Sequence, residues 1–251
     1  MASEHKIKGI AFDLQFTLVC LEHFSLGRWF ELFDAGFENV IAYLNQLGVS
    51  FDLKRLKMTL HRVRNKYFAL IITTDQQYFT EEILRDTFSK CDITLKTEQF
   101  QDCCKLYHSI EIPAWKPFPK VLETLEQLST DYRLTLITNA SDFITQEILR
   151  LQNMQPFFHL VLTNARKPRP YSFHQFREAM QAEFNELVMV GDDVTTDIEP
   201  AISLGMKTIH AYRGYEYLMH HAEMEITPDK VISKFEDLIQ AIEELESFEI
   251  S

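Results

Sequence analysis

Four places in this sequence set polar, chemically capable side chains directly after short apolar runs. The first is Asp13-Leu14-Gln15-Phe16-Thr17-Leu18-Val19, which follows the largely apolar residues 7–12. The others are Thr138-Asn139, the loop pair Lys167-Pro168, and Gly191-Asp192-Asp193 with Asp197 shortly after. Each alone has an ordinary explanation: a strand-end Asp caps turns, a Thr suits a strand, and a loop Lys is commonly solvated. A carboxylate just past a buried strand is costly, however, unless a cation or a set of donors meets it. Two aspartate clusters, a lysine and a threonine facing one crevice would hold a divalent cation and an anion between them. Oxygen ligands of this hard type suit magnesium.

For those residues to meet, the runs before them must be neighbouring strands. Residues 7–12, 134–138, 159–163, 187–191 and 207–211 read as short buried strands. Helical periodicity occupies residues 121–128, 143–151, 171–182, 198–204 and 235–245. Strands alternating with helices predict a parallel sheet covered on both faces. Such a sheet gathers the carboxyl ends of its strands on one edge, where ligands bind.

Residues 17–114 have a different character. Leu26, Phe30, Phe33, Phe37, Ile41 and Leu44 recur every three or four positions, one apolar stripe of a helix that Gly48 would stop. Leu53, Leu56, Leu60, Val63, Tyr67 and Leu70 repeat the pattern. Shorter helices are expected over 79–88, with Thr80 as N-cap, and over 97–107. The Phe-rich stripes read as packing between helices rather than a ligand pocket. Pro113, Pro117 and Pro119 then punctuate the chain. The helical block is thus expected as an insertion, with crossings near residues 19–22 and 114–118.

With 251 residues, 46% of them hydrophobic, the chain can bury a sizeable core. A net charge of −12 without a dense Lys/Arg run disfavours nucleic acid as a partner. No apolar stretch reaches the ~18 residues of a membrane span, and residues 1–8 are too polar for a signal peptide. Cys20, Cys91, Cys103 and Cys104 form no spaced metal pair and read as reduced, mostly buried thiols. A soluble cytoplasmic protein with no membrane partner is expected; its oligomeric state is left open.

Taken together in order, these motifs resemble those of the haloacid dehalogenase superfamily over nearly the whole chain, residues 6–246. Asp13-x-Gln15-x-Thr17 sits at that family's nucleophile motif, Thr138-Asn139 at the second, Lys167 at the third and Gly191-Asp192-Asp193-x-x-x-Asp197 at the fourth. The resemblance implies an α/β fold: a Rossmann-like parallel core, residues 1–18 and 116–251, carrying an inserted α-helical cap domain, residues 19–115. It implies a magnesium-dependent phosphatase acting on a small phosphorylated substrate, with Asp13 forming an aspartyl-phosphate. Magnesium would be held by Asp13, the backbone carbonyl of Gln15 and Asp192, with Asp193 and Asp197 as further ligands or positioning groups. Thr17, Thr138, Asn139 and Lys167 would bind the phosphoryl group, with Thr138 and Lys167 also serving catalysis.

Position 15 departs from the pattern. Most phosphatases of the family carry a second Asp there, which protonates the leaving group and later activates water. Gln15 has no proton to exchange, and such help is typically worth ~10²–10⁴-fold. Three readings follow. One is a phosphatase whose substrate needs little protonation, or whose acid comes from elsewhere, Glu22 and His23 being the nearby candidates. The second is a weakly catalytic protein that binds a phosphorylated ligand or a partner. The third, a dehalogenase, is disfavoured because those enzymes tend to lose the metal-binding Asp that Asp192 preserves. Substrate identity beyond "small and phosphorylated" is not encoded legibly.

Overall fold

The computed structural model describes residues 6–73, 79–212 and 227–247; residues 1–5 of the polar N-terminal stretch lie outside them. The chain divides into two compact units, Met1–Glu22 with Trp115–Ser251, and His23–Ala114.

The first unit opens with β1 (Gly9–Phe12), every residue of which is buried. After the Asp13 turn the chain forms β2 (Val19–Leu21), which later pairs antiparallel with β3 (Trp115–Pro117). The ends of the insertion are thereby stitched together: Val19 lies opposite Pro117 and Leu21 opposite Trp115. Three-residue strands are too short to show a period, so this ribbon leaves no periodic signature in the sequence.

Among the described residues, four α-helices lie between. Ser25 caps α1 (Leu26–Gln46) by accepting from the Arg28 amide at 3.1 Å, and Gly48, at φ +70°, follows its end in the left-handed conformation. Next come α2 (Leu53–Thr73), α3 (Thr80–Lys90) and α4 (Thr97–Tyr107). Thr80 is a correction: the cap position is Phe79, whose amide donates to the Glu82 side chain, while the Thr80 hydroxyl bonds to His108. Of the predicted apolar stripes, Phe37, Ile41, Leu44, Leu56 and Leu60 converge on one core with Phe33 packed against it, whereas Leu53 is exposed.

The remaining elements alternate: α5 (Val121–Asp131), β4 (Arg133–Ile137), α6 (Asp142–Leu151), β5 (Phe158–Leu162), α7 (Tyr171–Met180) and β6 (Leu187–Gly191). Then follow α8 (Glu199–Ser203), β7 (Lys207–Ala211), β8 (Lys230–Ile232) and α9 (Leu238–Ser247). Instead of one helix over 198–204, a π-helical turn, Val194–Ile198, leads into the short α8. Such turns favour functional positions.

The strands form a six-stranded parallel sheet in the order β5-β4-β1-β6-β7-β8. One face packs Ala11, Ile137 and Met189 against Phe173 and Phe176 of α7. On Phe12, by contrast, Phe158 and Phe235 converge at 6.3 and 6.2 Å between ring centres. Both faces are thus covered, as an all-parallel sheet requires. Among the described residues no helix is long and apolar enough to cross a membrane.

Candidate active site

β1 lies between β4 and β6, with Phe12 level with both Leu136 and Val190. The chain therefore leaves β1 at the point where successive connections diverge to opposite sides, the crevice that open α/β sheets use for ligands. Asp13 is the first residue beyond the strand, and its amide still donates to Val190 at 3.0 Å, so its position is fixed by the sheet ladder. A tight turn follows. The Leu14 carbonyl accepts from the amides of Leu18 and Val19, and Phe16 takes a left-handed φ of +65°. That conformation is costly for a bulky residue; burial of Phe16 edge-on against Trp115, ring centres 5.2 Å apart, offsets it.

Thr17 is fully buried and bonds twice to Asp192. Its hydroxyl donates to Oδ1 at 2.7 Å and accepts from the Asp192 amide at 3.0 Å. The end of β6 is thus tied to the turn after β1. Asp193 turns away from that contact: its Oδ1 accepts from the Thr195 amide and hydroxyl (2.8 and 2.6 Å) and from the Thr196 amide (3.1 Å), capping the π-turn. This turn carries Asp197 back beneath the strand end. A Cβ on Gly191 would lie only 2.3 Å from Asp197 Oδ2, so glycine is needed there for Asp197 to fit.

Lys167 arrives from the loop after β5. Asn139 holds its backbone at both ends, Oδ1 accepting from the Lys167 amide at 2.7 Å and Nδ2 donating to its carbonyl at 3.2 Å. The Lys167 side chain is almost fully buried; Nζ donates to Asp13 Oδ1 at 2.8 Å and also to Asp197 Oδ1. Thr138, 1% exposed, accepts from the Ala140 amide at 3.2 Å, which leaves its hydroxyl hydrogen available for donation.

Asp13, Asp192 and Asp197 bring carboxylate oxygens within 4.8 Å of one another, a grouping that could hold a metal ion. Among the described residues one ammonium, bonded to Asp13 and Asp197, stands against the three carboxylates, so the ionised cluster retains uncompensated negative charge. Burial, reinforced by the charges of Asp13 and Asp197, pushes Asp192 well above the usual carboxylate range. Asp197 is raised to about 7, by burial first, with Lys167 opposing and Asp13 adding to the rise. For Lys167, burial favours the neutral amine, but the two carboxylates outweigh it and keep the ammonium charged. A divalent cation is the species that this charge deficit fits.

The geometry thus brings together Asp13, Thr17, Lys167, Asp192 and Asp197. Asn139 contacts the Lys167 backbone, and Asp193 serves the turn. Gln15 is half-buried, bridging to Val19.

A profile of the haloacid dehalogenase-like hydrolases matches residues 54–211, more than half of the chain. The chain belongs to this family. The profile match begins beyond Asp13, so the first strand and its turn are placed by the structure itself. Among relatives of this hydrolase, a glyceraldehyde 3-phosphate phosphatase of Methanocaldococcus jannaschii is 29% identical over 144 residues, 55% of this chain and 62% of that protein. The pyrophosphatase PpaX of Bacillus mycoides is 28% identical over 189 residues, 72% of this chain and 85% of its own. In fold, a 2-haloacid dehalogenase from Pseudomonas syringae superposes with a TM-score of 0.64 at 19% identity, covering 95% of this chain and 99% of that one.

Two residues of this hydrolase escaped the sequence reading. His210, at the edge of β7, places Nε2 2.9 Å from the Asp192 carbonyl, where an Nε2–H tautomer donates. Its signal was its place late in a predicted strand, on the same sheet edge as the other candidates. Thr195 carried no separate signal, because the capping role of Asp193 shows only in the structure.

Proposed function

We propose that this hydrolase is a magnesium-dependent phosphatase that acts on a small phosphorylated metabolite through an aspartyl-phosphate on Asp13. One observation carries the reading: Lys167 is buried 2.8 Å from Asp13 within a carboxylate cluster that one ammonium leaves under-neutralised. The relatives named as phosphatases support it.

In this reading a carboxylate oxygen of Asp13 attacks phosphorus as the bond to the leaving oxygen breaks. Lys167 orients Asp13 and offsets phosphoryl charge, while Thr138 donates its free hydroxyl hydrogen to a phosphoryl oxygen. Water then attacks the same phosphorus, releasing orthophosphate and restoring the carboxylate. Asp13, Asp192, Asp197 and the Gln15 carbonyl would hold magnesium, with Thr17 and Asp193 fixing the residues around it. When bound, the cation supplies the positive charge that the cluster lacks. Gln15 cannot protonate a leaving alkoxide, which favours substrates whose leaving group departs as a stable anion, such as acyl phosphates or anhydrides. The cysteines, three buried and one half-buried, suit a cytoplasmic setting.

Gln15 also supports a second reading, a phospho-ligand-binding protein of low turnover. p-Nitrophenyl phosphate separates the two, because its leaving group needs no acid. The phosphatase reading expects magnesium-dependent release of nitrophenol, lowered on the order of 10⁴–10⁶-fold in Asp13→Asn, as for loss of other nucleophiles. A stoichiometric burst would place the slow step in hydrolysis of the intermediate. Neither turnover nor burst, with phosphate binding intact, would favour the binding protein.

A further inference from the structure

The chain's charge of −12 is an average that hides a strongly basic helix. α2 carries Lys54, Arg55, Lys57, Arg62, Arg64 and Lys66 and no Asp or Glu. Spaced by up to five residues, these do not form a dense run, but the helix gathers most of them outward. Arg64 is buried in an ion pair with Asp34, and Lys57 pairs with Glu38. Lys54, Met58, Arg62 and Lys66, four residues apart, are all exposed and form one ridge along the helix. Among the described residues Lys54 and Arg62 have no carboxylate partner. Asp52 before the helix, Lys54, Arg55, Met58 and Arg62 within it, and Lys90 from the end of α3 line an open cavity of about 490 Å³ in which the cations outnumber the one carboxylate.

The local electrostatics are unfavourable as they stand. Lys54 and Arg55 occupy the first turn of α2, where the helix dipole disfavours positive charge, and the one carboxylate beside them in the chain at that end is the N-cap Asp52. Asp52 caps the Arg55 amide at 2.9 Å, and Arg55 reaches Asp92 at 3.1 Å, but both groups of that pair are largely exposed, so it contributes little. These contacts leave Lys54 and Arg62 on the exposed ridge without a carboxylate among the described residues. An anion laid along this ridge would relieve the repulsion among Lys54, Arg62 and Lys66.

We propose that the outer face of α2 docks a short acidic segment of a partner protein. Charge complementarity sets the sign, and three further features select a peptide. The ridge from Lys54 to Lys66 is about 18 Å long, which an extended strand of about six residues spans. Exposed Leu53 and Met58 interrupt the cations with apolar surface suited to a peptide side chain. The rest of the chain is more acidic than the average, so a long polyanion running beyond the ridge is repelled while a short peptide is not.

A fluorescein-labelled peptide of about eight residues, Asp and Glu with one central Leu, tests this by anisotropy against the full-length protein. The peptide should bind at about 50 mM salt and weaken steeply at about 300 mM. Lys54→Glu with Arg62→Glu should weaken binding at least ~10-fold, while Lys54→Arg with Arg62→Lys retains it; circular dichroism checks that both variants fold. No binding at low salt would overturn the proposal, as would equal binding to the charge-reversed variant. Displacement of the peptide by lower concentrations of tripolyphosphate or of a single-stranded oligonucleotide would also overturn it, by assigning the ridge to phosphate.

Discussion

At position 15 Gln is one methylene longer than Asp, but the position is only half-buried, and the two differ greatly in proton chemistry. Gln15→Asp should therefore fold unchanged and raise turnover of an alkyl phosphate by ~10²–10⁴-fold, while p-nitrophenyl phosphate responds far less. The ratio of kcat for the two substrates, before and after the substitution, measures this; an unchanged ratio would remove Gln15 from the chemistry. Gly191 is bound to the cluster by sterics. A Cβ there meets Asp197 at 2.3–2.4 Å, so Gly191→Ala should cost about 1–3 kcal/mol and displace Asp197 from Lys167. Both the urea midpoint and turnover should fall; loss of stability alone would mean that Asp197 kept its place. The roles of Asp193 and Asn139 were not separable from the sequence, because a side chain that caps a turn or clamps a loop has the same composition as one that meets a ligand. Only partners such as Thr195 and the Lys167 backbone distinguish them.

At the scale of elements, the strands bearing site residues were legible because each is a short apolar run ending in a polar residue. The π-turn was not, since its register is set by Asp193 capping and by Asp197 folding beneath Gly191. The β2–β3 ribbon was missed for want of length. In the helical unit the decisive close approach is equally invisible in a periodicity: a Cβ on Gly36 of α1 would sit 2.0 Å from the Tyr107 carbonyl oxygen of α4. Backbone cannot yield as a side-chain tip can. Gly36→Ala should accordingly destabilise the protein by about 1–3 kcal/mol despite its better helix propensity. An equilibrium denaturation midpoint at or above that of the parent would contradict the packing.

On the scale of the whole molecule, two units with separate cores respond to conditions through different groups. α4 buries Cys103 and Cys104, whose thiols burial pushes up to about 12, and Tyr107, also raised by burial to about 12. Unfolded, such groups ionise near 8.5 and 10, respectively. The unfolded chain thus loses protons first, so the stability they contribute is fully present below about pH 8 and lost as pH climbs toward about 12. Urea midpoints from about pH 8 to about pH 11 should fall, and less steeply in Cys103→Ala than in the parent. A parallel decline in both would place the alkaline sensitivity elsewhere. The sequence by itself determined the α/β class and the residues able to do chemistry, because burial on both faces of a parallel strand demands an unbroken apolar run and leaves polarity only at its end. What only tertiary structure decided was which of those residues share a point in space. Asp197 rather than Asp193 joins Asp13 and Asp192, since a turn's backbone path, fixed by contacts distant in sequence, selects which carboxylate faces inward.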